Sequence, residues 1–282
     1  MKPVVLGSAL AVAATLALGR LAAQDATRFA DAAAQNVFVR SRAVVVHSGS
    51  VTQLRSLVMK GRIRFGLEGG GLIDGLVEYR ILLPDHFLRI ETVGATERRS
   101  GFAASALLTE MRERNRVELP PQNMTSALLR LVHAHFTRLM LGAMTYVTAD
   151  QQLTFRSSGG AVAMVDPRDS AAAATASNDP RQQAGGSTVI TNATPDMFSL
   201  DVMSETFAAR LVVGNVSREP AKLVYMGANK TPTAMTFGDR HPVSGFDLPY
   251  RITTTAGDRV LETITFDEIL VNPELTRADF SR

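Results

Sequence analysis

Two histidines and a few carboxylates are the residues in this chain best equipped for chemistry, and their spacing limits what they can do. His133 and His135 stand two apart in an apolar run that reads as helix. On a helix, residues two apart face nearly opposite sides, so the two rings cannot share a metal ion. His135 falls on the apolar side of that helix and reads as a partly buried structural histidine. His47, His86 and His241 are isolated, and no His-Glu-x-x-His pair is present. Gly66, Gly69, Gly70, Gly71 and Gly75 lack the Gly-Lys-Ser/Thr of a phosphate loop and sit between strand-like segments, so they read as a flexible hairpin. There is no Gly-x-Ser-x-Gly nucleophile elbow. Glu110 with Glu113, and Asp267 with Glu268, are acids without a partner constellation and are expected to be solvated. Arg62 and Arg64 are same-face cations on one strand, expected on a solvated outer face, with an anionic headgroup as the sharper alternative. The expectation is a protein with no catalytic residues, no metal ligands and no cofactor.

Composition narrows the class further. The chain has 282 residues, no cysteine and 45% hydrophobic residues, so it must hold itself together by core burial without disulfides or thiolate metal sites. Its N-terminus places Lys2 before an apolar Ala/Leu/Val-rich run, Val4 to Gly19, with no acid before Asp25 and with small residues at Ala22 and Ala23. This pattern predicts a secretory signal peptide over residues 1–23. A membrane anchor is the competing reading, but the run falls short of the roughly 20 apolar residues a spanning helix needs. Without a cysteine at the cleavage point, no lipid anchor is expected, and the mature chain is read as periplasmic or secreted with no stable membrane insertion. Removing Lys2 and Arg20 lowers the formal charge from +3 to +1. That weakens any argument for nucleic acid as a partner.

The elements that would position a site follow from periodicity. Residues 157–193 are rich in Ala, Gly, Ser, Thr, Asn, Gln and Asp with no aromatic, and read as a disordered insertion in a single domain spanning 24–282. Ala161 to Val165 could extend the strand before it. A short helix is predicted over Ala26 to Asn36, with Phe29, Ala33 and Val37 on one face. Leu57 to Phe65 reads as a half-buried strand with Leu57, Met59, Ile63 and Phe65 inward. Leu76 to Leu83, Phe87 to Val93 and Arg99 to Met111 read as further strands, giving an antiparallel meander. After Pro120-Pro121, a helix is predicted from Met124 to Met144 with Asn123 or Thr125 as its cap. Its apolar arc holds Met124, Leu128, Leu129, Leu131, Val132, Phe136, Leu139, Met140 and Ala143. Val260 to Val271, following a turn at Ala256-Gly257-Asp258, mixes apolar and polar residues on both faces and reads as a hairpin at the rim of a sheet.

Several of these segments carry a resemblance in their order. They are the Leu57 to Phe65 strand with Lys60-Gly61, the Leu83-Pro84-Asp85 turn into Phe87-Leu88-Arg89, the Gly245 to Ile252 run, and the Val271-Asn272-Pro273 end. Together they resemble the outer-membrane lipoprotein carrier superfamily, the LolA/LolB-like fold, over roughly residues 50–157 and 194–282. The resemblance implies a mainly β, α+β architecture: a curved antiparallel sheet or incomplete β-barrel, closed by a covering amphipathic helix, whose concave side holds acyl chains or another hydrophobic ligand. The chain departs from it in its greater length, in the 157–193 insertion and in lacking the receptor member's anchor. The residues expected to line a hydrophobic cavity are Met59, Ile63, Phe65, Leu128, Val132, Phe136, Leu139 and Met140. Expected partners are a lipid or an acylated protein, with an envelope protein partner if the fold serves instead as a non-catalytic interaction or sensing module.

Overall fold

A computed structural model describes residues 28–47, 54–114, 116–148, 151–158, 197–227 and 230–281. The expected signal peptide and nearly all of the 157–193 insertion, with its Ala161 to Val165 extension, lie outside the described residues.

Thirteen strands form one antiparallel sheet in the order β6-β5-β4-β3-β2-β1-β13-β12-β11-β10-β9-β8-β7. The first meander is β1 (Ser56–Gly66), β2 (Leu72–Leu82), β3 (His86–Val93), β4 (Thr96–Ala103), β5 (Ala106–Glu113) and β6 (Arg116–Glu118). The second is β7 (Thr154–Ser157), β8 (Met197–Met203), β9 (Ala208–Gly214), β10 (Pro220–Met226), β11 (Pro232–Val243), β12 (Phe246–Ala256) and β13 (Arg259–Val271). Two α-helices among the described residues, α1 (Ala32–Val45) and α2 (Thr125–Met144), pack with the sheet. The sheet is not closed, since its end strands β6 and β7 are not neighbours. α2 packs on β4 and β5 from one meander and on β9, β10, β11 and β12 from the other, so the sheet curves around it. This is the mainly β architecture with a covering helix that the resemblance implies, and the antiparallel meander that the strand pattern predicts is part of it.

The C-terminal hairpin corrects one expectation. It lies at the centre of the sheet and not at the rim, because β13 pairs with β1 and so joins the two meanders. Its mixed faces have a local cause. Opposite Lys60/Gly61 the register steps from Phe266 to Glu268, leaving Asp267 as an extra residue. A bulge of this kind inverts the alternation, so Phe266 and Ile269, three apart, are both buried. Gly61 permits it: a Cβ there would sit 2.6 Å from the Phe266 Cα. Asn272, at φ 57°, then ties the strand end back, its Oδ1 accepting from Arg55 N–H at 2.7 Å and Ser56 N–H at 3.3 Å.

Other boundaries moved for equally local reasons. The segment read as one strand from Arg99 to Met111 is the β4–β5 hairpin, folded at Ala104 (φ 51°) without a Gly or Pro to mark the turn. β2 starts at Leu72, so only Leu67 to Gly71 form the glycine-rich turn, where Gly69 and Gly70 have φ of 94° and 88°. The first helix starts at Ala32 and buries Ala34, Phe38, Ser41 and Val45 in place of the predicted face. Its cap is Asp31, whose Oδ1 accepts from Ala34 N–H at 2.7 Å while Oδ2 accepts from Ser157 N–H at 2.9 Å. These bonds hold the Asp31 carboxyl below the usual carboxylate range. α2 begins one residue later than predicted, after a 3₁₀ turn at Gln122–Met124, and neither Asn123 nor Thr125 caps it: Met124 holds that position with no side-chain bond.

Candidate functional site

The inner face of the sheet and the buried face of α2 share one core cluster. Six of the eight residues predicted to line a cavity are buried in it: Met59 and Ile63 on β1, and Val132, Phe136, Leu139 and Met140 on α2. Phe65 and Leu128 are only partly buried and pack at its margin. All eight therefore border one surface. Burial along α2 is uneven, however: from Val132 onward the helix is largely buried, whereas Met124 and Leu131 are 48% and 57% exposed. The C-terminal half is anchored and the N-terminal third is the more accessible part.

Polar residues add to the apolar burial that anchors this half. Arg240 donates through Nη1 and Nη2 to the carbonyls of Gly142 and Ala143 at 3.1 Å each, and also to those of Asp247 and Pro220. A cation on the last carbonyls of a helix meets their partial negative charge. Arg138 stacks over the Tyr225 ring with its Cζ 3.8 Å from the centroid, a cation–π contact strengthened by low exposure to water.

Between α2 and the sheet, spanning β2 and β3 of the first meander and β12 and β13 of the second, lies a buried ionic group that the sequence alone does not reveal. Arg89 on β3 donates from Nη2 to Glu262 Oε2 of β13 at 2.6 Å and pairs through Nε with Glu91. Thr254 on β12 donates to Glu262 Oε1 at 3.2 Å. His135 of α2 brings Nε2 within 3.4 Å of Arg89 Nη1 and stacks on Tyr79 of β2, with centroids 6.2 Å apart. The Tyr79 side chain is fully buried, and its hydroxyl has no hydrogen-bond partner among the described residues. Burial drives the His135 pKa down to about 3, helped by the adjacent Arg89 charge, so the imidazole is neutral at ordinary pH. Burial alone would raise the Glu262 carboxyl, but the charge and hydrogen bond of Arg89 outweigh it and the net shift is downward. Burial pushes the Tyr79 hydroxyl up, keeping it protonated.

These positions were legible as anomalies. Tyr79 shares the parity of buried Val77 and Ile81, Arg89 that of Phe87, and Glu262 that of Ile264 and Phe266. A charged residue at an inward position requires a partner, and in one sequence the partner's position is invisible. His133 and His135 make different contacts on the same sheet: His133 stacks on Phe102 of β4 with centroids 3.9 Å apart, while His135 turns to Tyr79 of β2 and to Phe87 and Arg89 of β3. Glu110 corrects another expectation. It is buried, not solvated, and paired with Arg112 two residues along β5 at 2.7 Å and with Arg99, its register partner on β4, at 3.5 Å. Asp267 and Glu268 form surface pairs with Arg62 and Lys60. Arg62 and Arg64 point outward as predicted, Arg64 held by Asp74.

Two open clefts border these elements. One of about 650 Å³ lies on the outward side of β1, β2 and β13, over Arg62, Arg64, Asp74, Leu76, Thr263 and Thr265. The other, about 400 Å³, separates α2 from the β8–β9 connection at Leu129, Arg130, Gln151 and Phe207. Of the eight predicted residues only Ile63 touches either cleft. Among the described residues no group of three His, Asp or Glu side chains could hold a metal ion, and no helix is long and apolar enough to cross a membrane.

Comparison with known proteins bears on the fold. No family model matches the chain, and no curated protein matches its sequence. Among solved structures, a LolA superfamily protein from Nitrosomonas europaea superposes with a TM-score of 0.52 at 9% identity, covering 88% of this chain and 97% of that one. An outer-membrane lipoprotein-sorting protein domain from Vibrio parahaemolyticus gives 0.46 at 10% identity over 88% and 94%. A DUF1329 family protein from Desulfovibrio piger gives 0.49 at 8% over 88% and 97%. Likeness at these identities is one of architecture, and only the Nitrosomonas match is close enough in shape to argue from. Open thirteen-stranded sheet, covering helix and superposition together make this a LolA-like fold.

Proposed function

We propose that this chain is an exported binding or carrier protein that works in the periplasm and holds an apolar chain, from a lipid or an acylated protein, between α2 and the inner face of the sheet. The observation that carries this reading is the uneven seating of α2 on a continuous apolar surface. Its C-terminal half is pinned by Arg240, whereas in its N-terminal third Leu128 is only half-buried against that surface and Leu131 is exposed. A ligand entering there replaces the helix's contacts with its own. Each buried methylene contributes about 0.8 kcal/mol, so a long acyl chain gains enough to compete with a short stretch of helix. No step of this reading requires a reaction, and the protein is proposed to bind rather than catalyse.

The test is binding of a hydrophobic fluorescent probe, with solvent extraction of the purified protein for co-purifying lipid. Leu128→Glu is the informative variant, because Phe136 is 2% exposed and a charge there would unfold the core. Probe binding by the parent, lost in Leu128→Glu at an unchanged melting temperature, is the expected result. Absence of both lipid and probe binding, with a stoichiometric protein recovered from envelope extracts, would favour an interaction module on the same fold.

A further inference from the structure

The sheet has two ends, and they are finished differently. At β7 the chain covers its own edge: Phe155 N–H donates to Arg28 O and Ala30 N–H to Phe155 O, both at 2.8 Å, and the rings of Phe29, Phe38 and Phe155 pack together. At β6 the one strand partner among the described residues is β5. An unpaired edge presents N–H and C=O groups to any strand that approaches. All three residues of β6, Arg116-Val117-Glu118, are exposed. Large apolar side chains beside it also face water: Met111, the register partner of Glu118, is 40% exposed, Val117 55%, Leu119 56% and Met124 48%.

We propose that β6 is a self-association edge, on which a second copy of this chain docks antiparallel about a two-fold axis through Val117. The order of charges selects this occupant. Within each strand Arg116 Nη2 pairs with Glu118 Oε1 at 2.9 Å; with the axis at Val117 these pairs exchange partners, so that Arg116 of each copy lies opposite Glu118 of the other and the two ion pairs are equivalent by symmetry. The same surface patch serves both copies, and pairing joins two open sheets at β6. Three paired residues bury little area, so Leu119 and Met124 supply the apolar contact and the dimer forms only as concentration rises. Short charged edge strands also serve to prevent pairing. The sign of the charge effect separates the two roles.

Sedimentation equilibrium of the chain over a concentration series tests this. A monomer–dimer equilibrium is expected. Arg116→Glu sets Glu against Glu118 twice across the axis and weakens association about tenfold or more. Val117→Pro, which removes an edge donor, also weakens it. The charge swap Arg116→Glu with Glu118→Arg restores parental association, because the pairs re-form with reversed sense. These residues are exposed, so parental melting temperatures are expected; if Arg116→Glu melts early, Glu118→Arg, which sets Arg against Arg, takes its place. A monomer at every concentration, an equilibrium indifferent to the single charge change, a swap no stronger than the single variant, or irregular larger aggregates would each overturn the proposal. Ligand binding at α2 is a separate measurement, so either idea can fail without the other.

Discussion

Removing the charge of Glu262 tests whether the ionic group beneath α2 is as enclosed as its geometry implies. Arg89 and Glu262 side chains are 11% and 14% exposed, and Arg89 is shared with Glu91, also 11% exposed. Breaking a buried pair by removing one partner costs about 3–5 kcal/mol, because the remaining charge is left without compensation. Glu262→Gln leaves Arg89 its second carboxylate, so the expected loss is at the lower end, about 3 kcal/mol. Arg89→Met takes the close cation from both carboxylates, leaving Glu91 only the exposed Arg98 at 3.9 Å and Glu262 the Thr254 hydroxyl, and should cost more, about 5 kcal/mol. Replacing all three by Arg89→Met, Glu91→Leu and Glu262→Leu removes the desolvation problem with its cause, and stability should return to within about 1–2 kcal/mol of the parent. Urea unfolding at neutral pH, with the slope checked for constancy, gives these values. A Glu262→Gln loss below about 0.5 kcal/mol, or a triple variant less stable than either single one, would refute the assignment of a dry, mutually dependent network. The linked pH effect has a definite sign. The folded Glu262 pKa is depressed, so its contribution is present above the unfolded value of about 4.3 and is lost as pH falls through the folded one.

Three further outcomes are expected. His135 has a folded pKa of about 3 against roughly 6.5 unfolded, so its share of stability is complete above about pH 6.5 and declines as pH falls toward 3; His135→Gln should flatten that part of a stability–pH curve. Gly61→Ala must push its methyl against the β13 backbone at Thr265 and Phe266, and should cost at least ~2 kcal/mol in chemical denaturation, with any smaller loss showing that the bulge relaxes freely. Asn272→Gly keeps the left-handed backbone but removes the acceptor shared by Arg55 and Ser56 N–H, and should lower stability by about 1–2 kcal/mol; an unchanged midpoint would show that the clasp is unimportant.

Much of the fold was legible because it depends on local alternation. On β1 the alternation sets Leu57, Met59, Ile63 and Phe65 inward against Val58, Lys60, Arg62 and Arg64, and the structure keeps that division except at Val58, which is buried. The long apolar arc of α2 set its length to within one residue. The β4–β5 turn was missed because Ala104 adopts positive φ without a residue type that announces it, and the start of α1 because Asp31 draws half its role from Ser157, far away in sequence. The ionic group was missed for a similar reason. Arg89, His135 and Glu262 are separated by 46 and 127 positions, and only sheet register and helix placement bring them together.

By itself, then, the sequence determined the kind of protein this is: mainly β, with no cysteine, one strong amphipathic helix and no catalytic spacing, all properties carried by residues close together along the chain. Tertiary structure decided the rest. It made the C-terminal hairpin the centre of the sheet, because β13 finds its partner in β1, some two hundred residues earlier. It also turned Glu110 and Glu262 from plausible surface acids into buried partners of arginine, because burial and pairing of a charge depend on which strands meet and not on the neighbours it has in sequence.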